Sequence, residues 1–334
     1  MYPLLFSPIP IERIWGGDYI AKHIHPQFHR DKIIGESLEL AGLEGNNSVV
    51  RNGFLKGNEI NELIEVYMGD LVGDSVYQKF ACEFPLIVKI LDINDYLSFQ
   101  VHPSDEMALS RHHAYGKAEA WYILHAEPNA SLYLGFNRLM TAADLGTRCM
   151  NQTLPEVMNQ YTPCAGDCFF IPPGSVHAAG GGLVILEIQQ ISDITYRVYD
   201  WGREFFKESA REMHLDLAYD AIDWESQPKP IAQRTQLRPN QVETLSREAE
   251  KLVESPYFYL YKRSIDSPIT LSNTFGSSFR LIVCTNGEVE VEANGSVRLK
   301  KGDVTLIPAS IGQYTITPLS ELSTLAEVLE AFIP

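Results

Sequence analysis

Nowhere does the 334-residue sequence hold an apolar run approaching the roughly 18 residues that cross a membrane. Its start, Met-Tyr-Pro-Leu-Leu-Phe-Ser-Pro, lacks the basic stretch and apolar core of an export signal, so a cytoplasmic location is expected. Cations are also short. A formal net charge of −16 argues against a general nucleic-acid or anionic-membrane binder. A small anionic substrate stays admissible, because a few local Lys and Arg residues can hold a phosphate inside an acidic protein. Cysteine is scarce and unpatterned: Cys82, Cys149, Cys164, Cys168 and Cys284 show no paired zinc-finger spacing. Cys164 and Cys168 stand four apart and flank an apolar strand, which makes them expected buried, reduced thiols. Signs of disorder are missing too: 45% apolar and 21% charged residues are a globular balance, and the length suffices for two cores.

What is present is mostly strand. Residues 84–91, 97–102, 118–124 and 183–188 are short, β-branched or aromatic, and bounded by turn residues, the rhythm of a sandwich or barrel. Helical periodicity is confined to residues 104–113, to residues 141–160 as two short helices split near Pro155, and to residues 241–253. Residues 218–239 turn polar and carry Pro228, Pro230 and Pro239, the signature of a linker or surface crossing. The expected division is therefore 1–235 and 236–334.

One stretch stands out, Gly166-Asp-Cys-Phe-Phe-Ile-Pro-Pro-Gly-Ser-Val-His177. Gly166-Asp167 is a turn signal, Cys168 to Ile171 a buried strand, and Pro172 and Gly174 a tight turn that returns the chain to His177. The pattern resembles the second motif of the cupin superfamily, small β-barrels that often hold a metal ion. It recurs 136 positions later as Gly302-Asp-Val-Thr-Leu-Ile-Pro-Ala-Ser-Ile-Gly-Gln313, with Gln313 in place of the histidine. Upstream of that copy, residues 281–292 read as strand, Asn-Gly turn, strand. The expected fold is mainly β: two cupin, jelly-roll-like barrels with a few short helices, only the first able to bind metal.

Partners for His177 follow from strand alternation. Ser98, Gln100 and His102 share one face, as do Lys117 and Glu119. His102, His177 and Glu119, with Gln100 as a further donor, describe a catalytic zinc site with an open position. Glu187 and Asp193 are candidate acids or bases, and Arg197 is a candidate grip for an oxyanion or phosphate. His112, His113, His125 and His214 read as ordinary surface or core histidines.

The wider sequence is similar to the type I mannose-6-phosphate isomerases of the short bacterial form. The matching segments are Glu12-Arg-Ile-Trp-Gly-Gly17, Gly35-Glu-Ser37, residues 84–106, residues 116–124 and residues 170–203. The string from Ile171-Pro-Pro-Gly-Ser-Val-His177 through Gln189-Gln190, Ser192-Asp193 and Thr195-Tyr-Arg-Val-Tyr-Asp-Trp-Gly-Arg203 is highly specific. The resemblance implies one zinc ion per chain on Gln100, His102, Glu119 and His177. It also implies a lysine at Lys117, a catalytic arginine at Arg197 and an acidic group at Glu187. Interconversion of mannose 6-phosphate and fructose 6-phosphate through a cis-enediol is the activity it implies. Arg197 and Lys117 would hold oxyanions or phosphate, Ser98 would bond the phosphate, and Glu187 or Asp193 would move the proton. Leu38 and Ala120 depart from the residues common at those places, neither of them a ligand position. The expected partner is a small sugar phosphate, with no nucleic acid and no membrane, and the chain is expected to be a monomer or weak homodimer. Two other readings stay open. An iron or manganese cupin enzyme would usually carry His-x-His where this chain has Gln100-x-His102, and a non-catalytic sugar-binding bicupin would not require Lys117, Glu187 and Arg197.

Overall fold

Alternation of apolar and polar side chains builds this chain strand by strand. The computed structural model describes residues 1–29, 31–206, 210–225, 249–273, 278–319 and 325–334. Strands predominate, with a few short helices. The chain divides into two compact units, one drawn from Pro10–Glu36 and Ile90–Arg234, the other from Met1–Ile9, Ser37–Lys89 and Thr235–Pro334.

In the first of these, a five-stranded sheet runs in the order Met158–Tyr161, Ser131–Phe136, His177–Gly180, Phe99–Val101, Tyr196–Tyr199. Strands Cys168–Ile171, Glu119–Ala126 and Leu183–Gln190 lie side by side in a second sheet. Trp121, Ile123, Phe169, Ile171 and Ile185 from the second sheet meet Leu132, Leu134 and Ala179 from the first in one buried cluster. The alternate residues of the five-stranded sheet, Phe99, Val101, Tyr133, Ala178, Tyr196 and Val198, belong to a different cluster with Leu145, Cys149, Leu154, Ala218 and Ile222. Helices Ala142–Met150 and Leu215–Ala221 thus cover the outer face, which leaves Gln100, His177 and Arg197 on the inner one.

The other unit repeats the plan with a six-stranded and a four-stranded sheet. Ile282, Cys284 and Val328 pack there against Val289, Val291, Val297 and Ile316. The repeated turn is reproduced bond for bond. Gly166 and Gly302 take φ of 92° and 93°, a left-handed conformation that glycine adopts without strain. The Asp167 carboxylate accepts from Cys164 N at 2.9 Å and that of Asp303 from Lys300 N at 3.0 Å. Gly166 N donates to Ile123 O as Gly302 N donates to Cys284 O.

Several expectations change. Hydrogen bonding closes neither sheet pair into a barrel among the described residues. The strands over residues 281–292 form on either side of Gly287 as expected, and Arg280–Asn286 and Glu288–Glu292 enter different sheets. The two short helices expected over 141–160 are Ala142–Met150 and the 3-10 turn Leu154–Val157 that contains Pro155, but Met158–Tyr161 is strand. The helix expected over 241–253 lies largely outside the described residues, and its end is strand Glu250–Glu254, held by antiparallel pairing with Tyr259–Ile265. Of the linker expected over 218–239, residues 226–239 lie outside the described residues, and its start belongs to helix Leu215–Ala221. Cys164 is exposed rather than buried, though all five cysteines are free thiols. The last residues end in strand Ala326–Phe332. Helix Asp105–His112 forms as expected, with the Ser104 hydroxyl accepting from Met107 N at 3.3 Å.

Candidate active site

Sheet register assembles the site. Gln100 lies directly opposite His177 on one side and Arg197 on the other, so three side chains from three strands form a row across the inner face. On the second sheet, Glu119 stands opposite Gln189, and Trp121 opposite Glu187. The Trp121 ring meets the His177 ring edge-on at 5.3 Å, so the two faces look at each other.

Both histidines are oriented by main-chain carbonyls. His102 Nδ1 donates to Ile194 O and His177 Nδ1 to Ser175 O, each at 2.9 Å. Each Nε2 is then the lone-pair nitrogen, turned toward the same carboxylate. His102 Nε2 lies 3.0 Å from Glu119 Oε1, and His177 Nε2 3.6 Å from Oε2. The Gln100 amide sits 3.2 Å from His177 Nε2, and a turn of that amide presents its oxygen to the same point. Lys117 Nζ approaches Glu119 Oε1 to 2.9 Å.

Burial sets the charges. Desolvation, with the Lys117 charge beside it, pushes the His102 imidazole down to about 4. His177 is lowered by the same burial. Burial alone would raise Glu119, but the Lys117 charge, then His102 and His177, hold its carboxyl well below the usual range. At neutral pH the His102–Glu119 contact is therefore a lone pair facing a carboxylate, not an ion pair.

Glu119 Oε1 and Oε2 and His102 Nε2 are buried and lack an aligned hydrogen-bond donor, Lys117 included, among the described residues. A neutral imidazole pointed at an anion is unfavourable unless a cation lies between them. His102, Glu119 and His177 form a buried group whose ligand atoms all lie within 4.8 Å of one another. The donor set therefore fits a divalent metal of the nitrogen- and oxygen-binding kind.

Around this centre, Glu187 is buried with its Oε2 accepting from Trp121 Nε1 at 2.7 Å. Arg197 Nε donates to the buried Ser98 hydroxyl at 3.2 Å and Nη1 to Glu212 O at 2.6 Å. Asp193, by contrast, is exposed and outside the cluster. Sequence reasoning missed Trp121, although it shares a strand face with Glu119 and could have been found by alternation. It also missed Ser175, Ile194 and Glu212, whose carbonyls orient the key side chains and leave no mark in residue type.

Residues 8–129 match the type I phosphomannose isomerase catalytic domain, and residues 248–322 the mannose-6-phosphate isomerase cupin domain. The mannose-6-phosphate isomerase ManA of Bacillus subtilis is 34% identical over 96% of this chain and 97% of its own length. That of Streptococcus mutans is 30% identical over 93% and 94%. A crystal structure of the Bacillus subtilis mannose 6-phosphate isomerase superposes with a TM-score of 0.82 at 26% identity, covering 99% of both chains. A Salmonella typhimurium phosphomannose isomerase variant shares the fold, with a TM-score of 0.75 at 13% identity and 99% coverage of each chain. The chain therefore belongs to the type I phosphomannose isomerases, cupin enzymes that interconvert mannose 6-phosphate and fructose 6-phosphate.

Proposed function

We propose that this chain performs that isomerisation at the cluster around Glu119, through a ring-opened sugar and a cis-enediol intermediate. The observation that carries the reading is the convergence of two lone-pair imidazole nitrogens on a buried carboxylate lacking aligned donors, beside Lys117 and in a row with Arg197.

Gln100, His102, Glu119 and His177 would hold one zinc ion, which supplies Lewis-acid stabilisation of charge on the sugar oxygens. The remaining chemistry belongs to the chain. A carboxylate takes the proton from C2 of the open-chain aldose while O1 gains a proton, giving the enediol. Return of a proton to C1, with loss of the O2 proton, leaves the ketose. Glu187 suits this step better than Asp193, being buried on the face that carries Glu119 and fixed by the Trp121 indole. Lys117 and Arg197 stabilise the negative charge that develops on O1 and O2 and hold the phosphate. Ser98 accepts from Arg197 Nε and keeps its own hydroxyl proton for a phosphate oxygen.

In this reading the catalytic cupin-like domain is the unit of Pro10–Glu36 and Ile90–Arg234, and the unit that holds Gly302 is a second one without the metal histidine. The protein works in the cytoplasm, where its free thiols remain reduced, as a monomer or weak homodimer.

Arg197→Ala tests the reading. Turnover should fall by about 100-fold or more while bound metal stays near one ion per chain. Equal loss of metal would make the arginine structural, and unchanged turnover would remove it from the reaction.

A further inference from the structure

Strand Tyr196–Tyr199 is the last strand of the five-stranded sheet among the described residues, so the outward N–H and C=O of Arg197 face no further strand there. The strand also slips register between Arg197 and Tyr199, a bulge beside the arginine. Among the described residues, His214 closes this edge at Arg197. Arg197 N donates to the His214 imidazole Nδ1 at 3.1 Å, and His214 N donates back to Arg197 O at 2.9 Å. Two residues earlier, Glu212 O takes Arg197 Nη1 at 2.6 Å. The segment just before helix Leu215–Ala221 thus acts as a short surrogate strand, gripping Arg197 by main chain and side chain together.

We infer that His214 is a positioning residue for Arg197, and that it carries this role only as the neutral imidazole. The inference rests on the reading of Arg197 as a substrate-contacting group. Its chemistry follows from the tautomer: Nδ1 accepts from Arg197 N, so the ring proton is on Nε2. Protonation places an N–H on Nδ1 and sets two donors against each other. The edge contact then opens and the bulged arginine loses its support. The groups facing the ring are Glu212 on its own segment, whose Oε2 lies 3.9 Å from Nε2, and Arg197 on the strand, with the Tyr196 ring alongside. Burial and the Arg197 charge lower the imidazole and Glu212 raises it, with a net shift downward. The neutral, accepting form therefore prevails at neutral pH and is lost as pH falls through the depressed value.

Steady-state kinetics of His214→Ala, His214→Asn and Arg197→Ala, at pH 5 to 8 with bound metal measured in each, test the inference. The alanine variant should lose about 10- to 100-fold in kcat, with KM changed far less and metal retained. Asparagine offers an accepting oxygen near the place of Nδ1 without titrating. It should restore most of kcat and flatten the acid-side decline that remains at full metal occupancy. An alanine variant with the parent's kcat and pH profile, or an asparagine variant no better than alanine, overturns the inference. Should the alanine variant fail to fold, the pH profile of the asparagine variant decides. If Arg197→Ala itself keeps full turnover, the reading of Arg197 has failed first; if it loses turnover while His214→Ala does not, only the role of His214 is lost.

Discussion

At Asp92 the chain buries a carboxyl. Its Oδ2 accepts from Ile20 N at 3.2 Å, at the start of the helical turn Ile20–Ile24. Desolvation raises it from 3.8 to about 6, against the pull of the backbone donors and with a further push from Asp18. A folded-state value above the unfolded one means the native state prefers the protonated form. The native state has its full advantage below the unfolded value and loses it as pH rises toward 6, a loss of about 3 kcal/mol that is constant above that. Asp92→Asn keeps an acceptor and removes the charge. Its gain in melting temperature over the parent should grow between pH 4 and 6 and then level off; a gain independent of pH would refute the assignment. The residues of the site were more legible than Asp92. Gln100 and His102 are named by alternation, and Glu119 by its place two residues after Lys117. Ser175, Ile194 and Glu212 act through carbonyls, and His214 through a contact 17 positions from Arg197, so no residue pattern announced them.

Among elements, the loop that follows strand Tyr196–Tyr199 is tied down by one carboxylate. Asp200 is fully buried and takes Arg203 Nη2 at 2.8 Å and Arg211 Nε at 3.0 Å. Burial would raise its pKa, but the two guanidinium groups outweigh that and hold it below the usual range. Its contribution is thus present at neutral pH and is lost as pH falls through that depressed value. Asp200→Asn leaves two cations around a neutral amide and should cost about 2–3 kcal/mol, the arginines being partly exposed. A lower urea midpoint with an unchanged m-value is the expected result. An unshifted midpoint would mean the knot is dispensable. Elements were legible where the pattern is local, as at the Ser104-capped helix and the turn at Gly166. They were misread where tertiary pairing decides: the end of the helix expected over 241–253 is strand Glu250–Glu254, paired with Tyr259–Ile265. At Asn286-Gly287 the turn was legible, but not that pairing of Arg280–Asn286 with Ala326–Phe332 and of Glu288–Glu292 with Ser296–Lys300 sends its flanks to different sheets. Close packing explains part of the matching Glu12–Gly17 segment: a Cβ on Gly16 would lie 2.6 Å from Gly35 N, and one on Gly35 would lie 2.4 Å from Arg13 Cβ, so both positions need glycine.

For the molecule as a whole, the two units carry the same turn and opposite polar interiors. In the unit that holds Gly302, Glu330 takes Arg263 Nε at 3.0 Å and the Tyr314 hydroxyl at 2.9 Å, with Arg280 Nε at 3.3 Å. That carboxylate is satisfied by its own neighbours, and Gln313, at the position of His177 in the repeat, is exposed. In the other unit Glu119 and His102 Nε2 have no such donors among the described residues. The repeat made the shared architecture legible, and the missing histidine at 313 made the asymmetry legible. The Glu330 network was not, because its members come from strands far apart in sequence. The most direct test is the rate of mannose 6-phosphate to fructose 6-phosphate conversion by the purified chain before chelation, after chelation, and after zinc is restored. The expected result is loss of turnover with the metal, full return on adding about one equivalent of zinc, and no return for His102→Ala. A metal-free chain that isomerises at the original rate would contradict the account.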